Sequence, residues 1–377
     1  MCDFVDTPDE ATLTRALAEA GRCEALRRAF FDALRDAEAT ASNPAQFRQD
    51  VRWPLLLALL RDAKTHRIAL DNGLLFDVSP VSRIEQAALL SSQEHPDHIW
   101  EPQTTKLLVS LAEGASHVLV GGAYIGDQVL PLARVLARRK PAGIVHAFEP
   151  MAETFQRLRH NLALNGITNV SCHQLGLWDR SDATLRVEGP AALASSSAES
   201  AARSDAGSGI RSISIDDYVN QNRLESVGLI MLDTEGGEER GLHGAAKLLS
   251  LPGNRAPHVV FEIHRKYVDW SDGLEKTPIV RFLTDKGYHV YAVRDIHGNH
   301  PMADRDIEVI PIDRVYLEGP PHGFNVLATK DPSLLGRLGL RVVERVSPKL
   351  LPDKDPALHH PLDGRPWGNR AVPGGKK

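Results

Sequence analysis

The sequence predicts a doubly wound α/β domain behind a mostly helical N-terminal region. Three observations carry that prediction. From residue 101 onward, short apolar runs alternate with helical stretches. A glycine-rich turn, Gly121-Gly122-Ala123-Tyr124-Ile125-Gly126, follows the first of those runs. Acidic residues close several of the later ones, at Glu149, Asp233 and Glu262. Alternating βαβα units with apolar strands belong to a parallel sheet covered on both faces. The ligands of such sheets bind beyond the carboxyl ends of the strands. A chain of 377 residues exceeds what one ordinary core needs, so a smaller region beside the sheet is expected.

The N-terminal elements come first. Thr7 is placed to cap a helix, Pro8 suits its first position, and Glu10 can close a capping box. Leu13, Leu17, Ala20, Leu26, Phe30 and Leu34 then follow helical spacing. A helix over 53–65, a strand over 74–78 and a helix over 83–91 complete a region expected to span residues 1–100. It names no chemistry, and it reads as a packing or dimerisation cap, so a homodimer is admitted.

The sheet strands are expected at 117–120, 144–149, 170–175, 228–233, 258–263, 288–293 and 324–329. Helices are expected between the first six, at 128–139, 152–165, 215–221, 238–249 and 278–286. This domain is bounded at 101–335. An Ala/Ser-rich stretch over 189–209 reads as a loop insertion, and the proline-rich residues 348–377 read as a disordered tail.

Composition narrows the function classes. A formal net charge of −5 supplies no basic field for a nucleic acid backbone, so nucleic acid is not expected as a partner. Three scattered cysteines, Cys2, Cys23 and Cys172, form no C-x-x-C and fit a reducing compartment. The N-terminus is acidic and lacks the apolar core of a secretory signal. The longest apolar run, 54–60, is too short to span a bilayer. A cytoplasmic protein without a membrane span is therefore expected.

The chemistry gathers at strand ends. Glycines in the 121–126 turn let a ligand approach the backbone closely. Ala123 breaks the G-x-G-x-x-G spacing, so the dinucleotide fingerprint fails. Glu149, closing the second strand before Pro150, suits a ribose with two free hydroxyls. Turn and carboxylate together point to an adenosine-containing ligand. Asp233 and Glu235 close the fourth strand, and Glu262 and His264 the fifth, each pair alternating so that it projects to one side. Such a group could hold an ammonium, a cation or a hydroxyl to be deprotonated. Oxygen ligands suit Mg²⁺, but the spacing is not diagnostic and no metal ligand is assigned. Glu238 reads as a helix N-terminal charge.

The stretch Ala147-Phe148-Glu149-Pro150, with Phe155, Leu158, Asn161-Leu162 and Asn165, resembles the second-strand motif of the FkbM family of S-adenosylmethionine-dependent methyltransferases. Ser214-Ile215-Asp216-Asp217-Tyr218 is similar to the family's segment before the fourth strand, and Leu232-Asp233-Thr234-Glu235-Gly236-Gly237-Glu238 to its D-x-E-G-x-E motif. Trp100-Glu101-Pro102 resembles its acidic-proline pair.

The resemblance covers about residues 100–330 and implies a seven-stranded, Rossmann-like class I methyltransferase sheet. The runs at 288–293 and 324–329 would form its final hairpin pair. It implies S-adenosyl-L-methionine held by Glu101, Gly121, Gly122, Ala123, Tyr124, Gly126, Glu149, Pro150, Gly176 and Asp233. It implies methyl transfer to a hydroxyl of a sugar, glycan or natural product. His264 would be the base, oriented by Glu262 or Glu235.

Val120 and Tyr124 stand where the family carries Asp and Asn. They motivate the rival reading, a non-catalytic binding or scaffold protein of a glycan-assembly system. An NAD-dependent oxidoreductase is disfavoured by the missing pyrophosphate turn.

Overall fold

Nine strands, not seven, make the main sheet of the computed structural model, which describes residues 9–188, 195–198, 209–317, 323–351 and 355–359. The chain divides into two units, Met1–Trp100 with Gly298–Pro301, and Glu101–His297 with Met302–Lys377.

The first unit contains α1 (Glu10–Arg22), α2 (Glu24–Thr40), α3 (Pro44–Phe47), a π-helical turn at Arg48–Arg52 and α4 (Trp53–Ala63). The hairpin of β1 (His66–Ala69) and β2 (Leu75–Val78) follows, then α5 (Arg83–Leu89). Asp9 caps α1, accepting from the Thr12 amide at 2.8 Å, so it replaces the expected Thr7; Thr7 and Pro8 lie outside the described residues.

Only part of the expected apolar stripe faces inward: Leu34 does, and Leu17 and Ala20 are half-buried. Leu13, Leu26 and Phe30 are exposed, while Ala18, Gly21, Arg27, Phe31 and Leu34 are buried. The break at Cys23 resets the helical phase. Close packing on α4 then selects the face, since a Cβ at Gly21 would lie 1.8 Å from the Leu59 carbonyl oxygen. Buried Arg52 pairs with Glu38 at 2.8 Å and donates to the Ser91 carbonyl at 2.8 Å, and a buried charge is tolerated when it is paired in this way.

The second unit begins with α6 (Pro102–Ala112), β3 (His117–Gly121), α7 (Val129–Leu136), β4 (Ile144–Phe148), α8 (Ala152–Leu164) and β5 (Val170–His173). A smaller sheet follows, built from β6 (Gly176–Leu177), β7 (Thr184–Glu188), β8 (Ser195–Ala198) and β9 (Ile210–Ile213) in the order β6-β9-β7-β8. The strand β8 falls inside the Ala/Ser-rich insertion and pairs with β7; most of that insertion lies outside the described residues.

Then come α9 (Ile215–Gln221), β10 (Leu229–Leu232), α10 (Glu238–His243), α11 (Ala246–Leu249), β11 (His258–His264), α12 (Pro278–Thr284) and β12 (His289–Val293). The unit closes with β13 (Glu308–Pro311), β14 (Gly323–Thr329), α13 (Leu334–Arg337), β15 (Arg341–Val342) and α14 (Pro356–His359). The helix expected over 238–249 is thus two helices.

The sheet order is β15-β13-β12-β14-β11-β10-β3-β4-β5. Strands β5, β4, β3, β10 and β11 are parallel, and β14 runs against both of its neighbours, β11 and β12. From β5 to β12 this is the doubly wound sheet with one reversed strand expected of a class I methyltransferase; β13 and β15 beyond it run in the direction of β14. The runs expected to end the sheet, now β12 and β14, are indeed neighbours. The sheet continues past them, because β13 pairs with β12 and β15 pairs with β13. A four-residue and a two-residue strand are too short to show periodicity.

Chain order reverses at β3, which lies between β4 and β10, and a crevice opens at such a switch point. Apolar side chains such as Leu119, Phe148, Ile230, Phe261 and Val326 lock the sheet to its covering helices.

The expected disordered tail is corrected at its start. Pro348–Leu351 run beside the end of β12: the Asp295 amide donates to the Pro348 carbonyl and the Leu350 amide to the Asp295 carbonyl, both at 2.9 Å.

Candidate active site

Two structures meet at the carboxyl edge of the sheet, a braced turn and an acidic cluster. The turn leaves β3 at Gly121. Positive φ angles at Gly122 (78°), Tyr124 (45°) and Gly126 (96°) fold it back on itself. Gly122 has no substitute, because a Cβ there would lie 1.7 Å from the Asp233 carbonyl oxygen. The amides of Gly122 and Ala123 both donate to the Phe148 carbonyl at 3.0 Å. Glu149 takes the next amide, that of Tyr124, at 2.8 Å. Its other oxygen accepts from the Met151 amide at 3.0 Å and the Thr154 hydroxyl at 2.7 Å. Burial pushes this carboxyl up, and the three donors pull it back.

A carboxylate has about four acceptor positions. Three are used by the protein, so Glu149 braces the turn and keeps one acceptor position. Pro150 follows it directly. Val120 is fully buried in β3, and Tyr124 is nearly so. Gly176 lies in the smaller sheet, where a Cβ would meet the Leu185 side chain at 2.4 Å; that packing accounts for the glycine without a ligand.

The acidic cluster lies on the other side of β3. Asp233 follows β10, and Glu235 sits in the next turn at φ 53°. Glu238 shapes that turn by accepting from the amides of Thr234 (2.6 Å) and Gly236 (3.0 Å), which is a larger role than a helix N-terminal charge. Glu262 stands in β11 opposite Asn325 of β14. One oxygen each of Asp233, Glu235 and Glu262 lie within 4.8 Å of one another. Like charges this close resist joint ionisation. Asp233 and Glu262 are accordingly held well above the usual carboxylate range, by burial first and then by their acidic neighbours. Glu235 is raised too, chiefly by burial, although the Tyr267 hydroxyl donates to it at 3.3 Å.

His264 and Glu262 do share a face. A Cβ on Gly323 would meet Glu262 Oε1 at 2.3 Å and His264 Cδ2 at 2.6 Å. The imidazole is nevertheless committed in a way its position in the sequence does not reveal. Nδ1 accepts from the Lys266 amide at 3.0 Å. A neutral imidazole that accepts at Nδ1 carries its proton on Nε2. In that tautomer His264 carries a donor at Nε2.

Glu101, grouped above with the cofactor residues, belongs to this acidic edge. Its oxygens lie 2.6 Å from Asn325 Nδ2 and 2.8 Å from His297 Nε2. Three further groups were invisible to motif reading. Asp295, past β12, accepts from the Gln103 and Thr104 amides at 3.1 and 2.7 Å and so caps α6. Burial first, and then Glu101, push it up to about 6. Asn325 is buried in β14. Lys349 is buried with its Nζ lacking any hydrogen-bond partner among the described residues. Burial pulls its ammonium down to about 8, against the opposing pull of Glu101, Glu262, Asp295 and Asp233. No spacing rule connects Lys349 to those carboxylates, because they meet only across the sheet edge.

Residues 121–290 match the family described as the methyltransferase FkbM domain. No curated protein matches the chain. Among solved structures, an rRNA methylase from Streptococcus thermophilus is 13% identical at a TM-score of 0.34, over 60% of this chain and 93% of that one. Precorrin-6y C5,15-methyltransferase from Geobacter metallireducens is 13% identical at 0.31, over 60% and 89%. No described helix is long and apolar enough to cross a membrane.

Proposed function

We propose that this chain, which carries an FkbM methyltransferase domain over residues 121–290, is an S-adenosylmethionine-dependent enzyme that methylates a hydroxyl oxygen of a small molecule or glycan. The observation that carries the reading is the pairing of two ligand-shaped strand ends at the switch point. The Gly121–Gly126 turn, braced by Glu149, offers a backbone surface and one carboxylate position to an adenosine. Across β3, Asp233 and Glu262 offer acceptors beside a polar cleft. The donor set fits S-adenosylmethionine, whose bound sulfonium would supply an electrophilic methyl carbon.

The chain's own residues then do three things. The Gly122 close approach and the Glu149 brace fix the adenosine end. Glu238 holds Asp233 and Glu235 at the methionine end by shaping their turn. His264 Nε2–H and the acidic edge orient an acceptor hydroxyl, and such alignment supplies much of the rate enhancement in a displacement of this kind. The turn lacks the pyrophosphate-binding spacing, so a nicotinamide dinucleotide does not fit.

The test uses methyl-labelled S-adenosylmethionine with hydroxylated metabolites and glycans, followed by mass spectrometry of the products. A labelled methyl ether is the expected product. Binding of S-adenosylhomocysteine without transfer to any acceptor would favour the scaffold reading, and binding of NAD alone would sink both.

A further inference from the structure

Lys349 is a buried cation set among the carboxylates of the acidic edge. Its Nζ is buried, its residue is 3% exposed, and it has no hydrogen-bond partner among the described residues. A buried ammonium retained for stability is expected to sit in a geometric ion pair, because an unpaired one is expensive. Here the surrounding carboxylates, Glu101 before α6, Asp233 after β10, Glu262 in β11 and Asp295 after β12, act on it through the field alone.

The backbone is by contrast tightly held. The Lys349 amide donates to Ser347 Oγ at 3.1 Å, its carbonyl meets His359 Nδ1 at 3.0 Å, and the segment bridges to Asp295. Lys349 also lines a cavity of about 230 Å³ with Arg265, Trp270, Tyr316, Phe324 and Ser347. Phe324 follows Gly323, over which Glu262 and His264 lie, so the cavity adjoins the cluster. A rigid backbone, an unpartnered amine, a cavity and a nearby sink of carboxylates are the parts a proton acceptor needs.

We propose that Lys349 is a catalytic residue, whose neutral amine takes the proton of the acceptor hydroxyl in the cavity it lines with Trp270 and Phe324. The inference rests on the methyl-transfer reading above. In the step, the acceptor oxygen bonds to the donor's methyl carbon while the carbon–sulfur bond breaks and its electron pair goes to sulfur. The O–H proton passes to Nζ, and the new ammonium is stabilised by Glu101, Asp233, Glu262 and Asp295. With the ammonium drawn down to about 8, roughly one amine in ten is neutral at pH 7. His264, committed as a donor, can hold the same oxygen without competing for its proton.

The test needs no acceptor. The full chain is prepared with lysine ¹³C-labelled at the ε carbon, and each resonance is titrated by NMR. Lys349 is assigned by its loss in Lys349→Arg, or in Lys349→Met should the arginine chain fail to fold. The titration is repeated with S-adenosylhomocysteine and with sinefungin, which carries an ammonium where the donor carries its methyl. A Lys349 midpoint near 8 in the free protein is expected. Sinefungin should lower it by about one pH unit more than S-adenosylhomocysteine does, since like charges across a few ångströms interact on that scale. An ordinary lysine midpoint, or equal shifts with the two ligands, overturns the proposal while calorimetric binding of both leaves the methyltransferase reading intact. Binding of neither ligand overturns that reading and this proposal with it.

Discussion

The two halves of the site solve opposite problems. At the Gly121–Gly126 turn every carboxylate oxygen of Glu149 already has a protein donor, and the geometry is self-satisfied without a ligand. At the acidic edge Asp233, Glu235 and Glu262 crowd together, and Lys349 has no hydrogen-bonding partner among the described residues. A group whose bonds are all made holds shape. A group whose charge is uncompensated is poised to bind or to exchange a proton. On the proposed function, the contrast divides a half that would recognise the ligand from a half that would do the chemistry, and four measurements test it.

The largest effect is expected at Lys349. Lys349→Met should lower turnover roughly 10²–10⁴-fold, the range for loss of a general base, with affinity for S-adenosylhomocysteine nearly unchanged. An equal loss of turnover and of cofactor affinity would place Lys349 in the recognition half.

The next effect is on stability against pH. Asp295 is pushed up to about 6, so the folded state holds a proton that the unfolded chain releases near the ordinary value of 3.8. Stability from this group is therefore full below about pH 4 and is lost as pH rises through 6, by about 3 kcal/mol at most. The raised Asp233 and Glu262 act in the same direction. Urea unfolding followed from pH 4 to 7 should show the decline, and Asp295→Asn should flatten it. A rise in stability over that window would mean the acidic edge is ion-paired after all.

Glu149→Ala should weaken S-adenosylhomocysteine binding by about 1–3 kcal/mol, the scale for a lost charged hydrogen-bond partner, and should also lower Tm because three protein donors lose their acceptor. Lost affinity at unchanged Tm would show a ligand contact without a brace.

The smallest effect is expected at His264. With Nδ1 engaged by the Lys266 amide, His264→Ala should cost less than about tenfold in turnover, or roughly 1.4 kcal/mol. A loss matching that of Lys349→Met would return the base to the histidine.

Much of the fold was legible because its signals are local. The alternation of strands and helices from residue 101, the glycine turn and the strand-end acids all follow from runs a few residues long. The recognition half was legible for the same reason, since Gly121, Gly122 and Glu149 lie within one βαβ unit. The N-terminal helices were only half legible. Leu13, Leu26 and Phe30 obey the helical period yet face outward, because the close approach at Gly21 chose a different face for burial.

By itself, then, the sequence determined the sheet type, its carboxyl edge and the acids that end its strands, all set by backbone propensity and apolar periodicity within short windows. The tertiary structure alone decided which of those acids crowd together, that Nδ1 of His264 is engaged by the Lys266 amide, and that Lys349 joins them from a segment whose composition suggested disorder. The physical reason is that burial and Coulomb interaction depend on distance in space. Residues Glu101, Asp233, Glu262, Asp295 and Lys349 come from five separate stretches of chain, and only the closed sheet edge brings their charges within reach of one another.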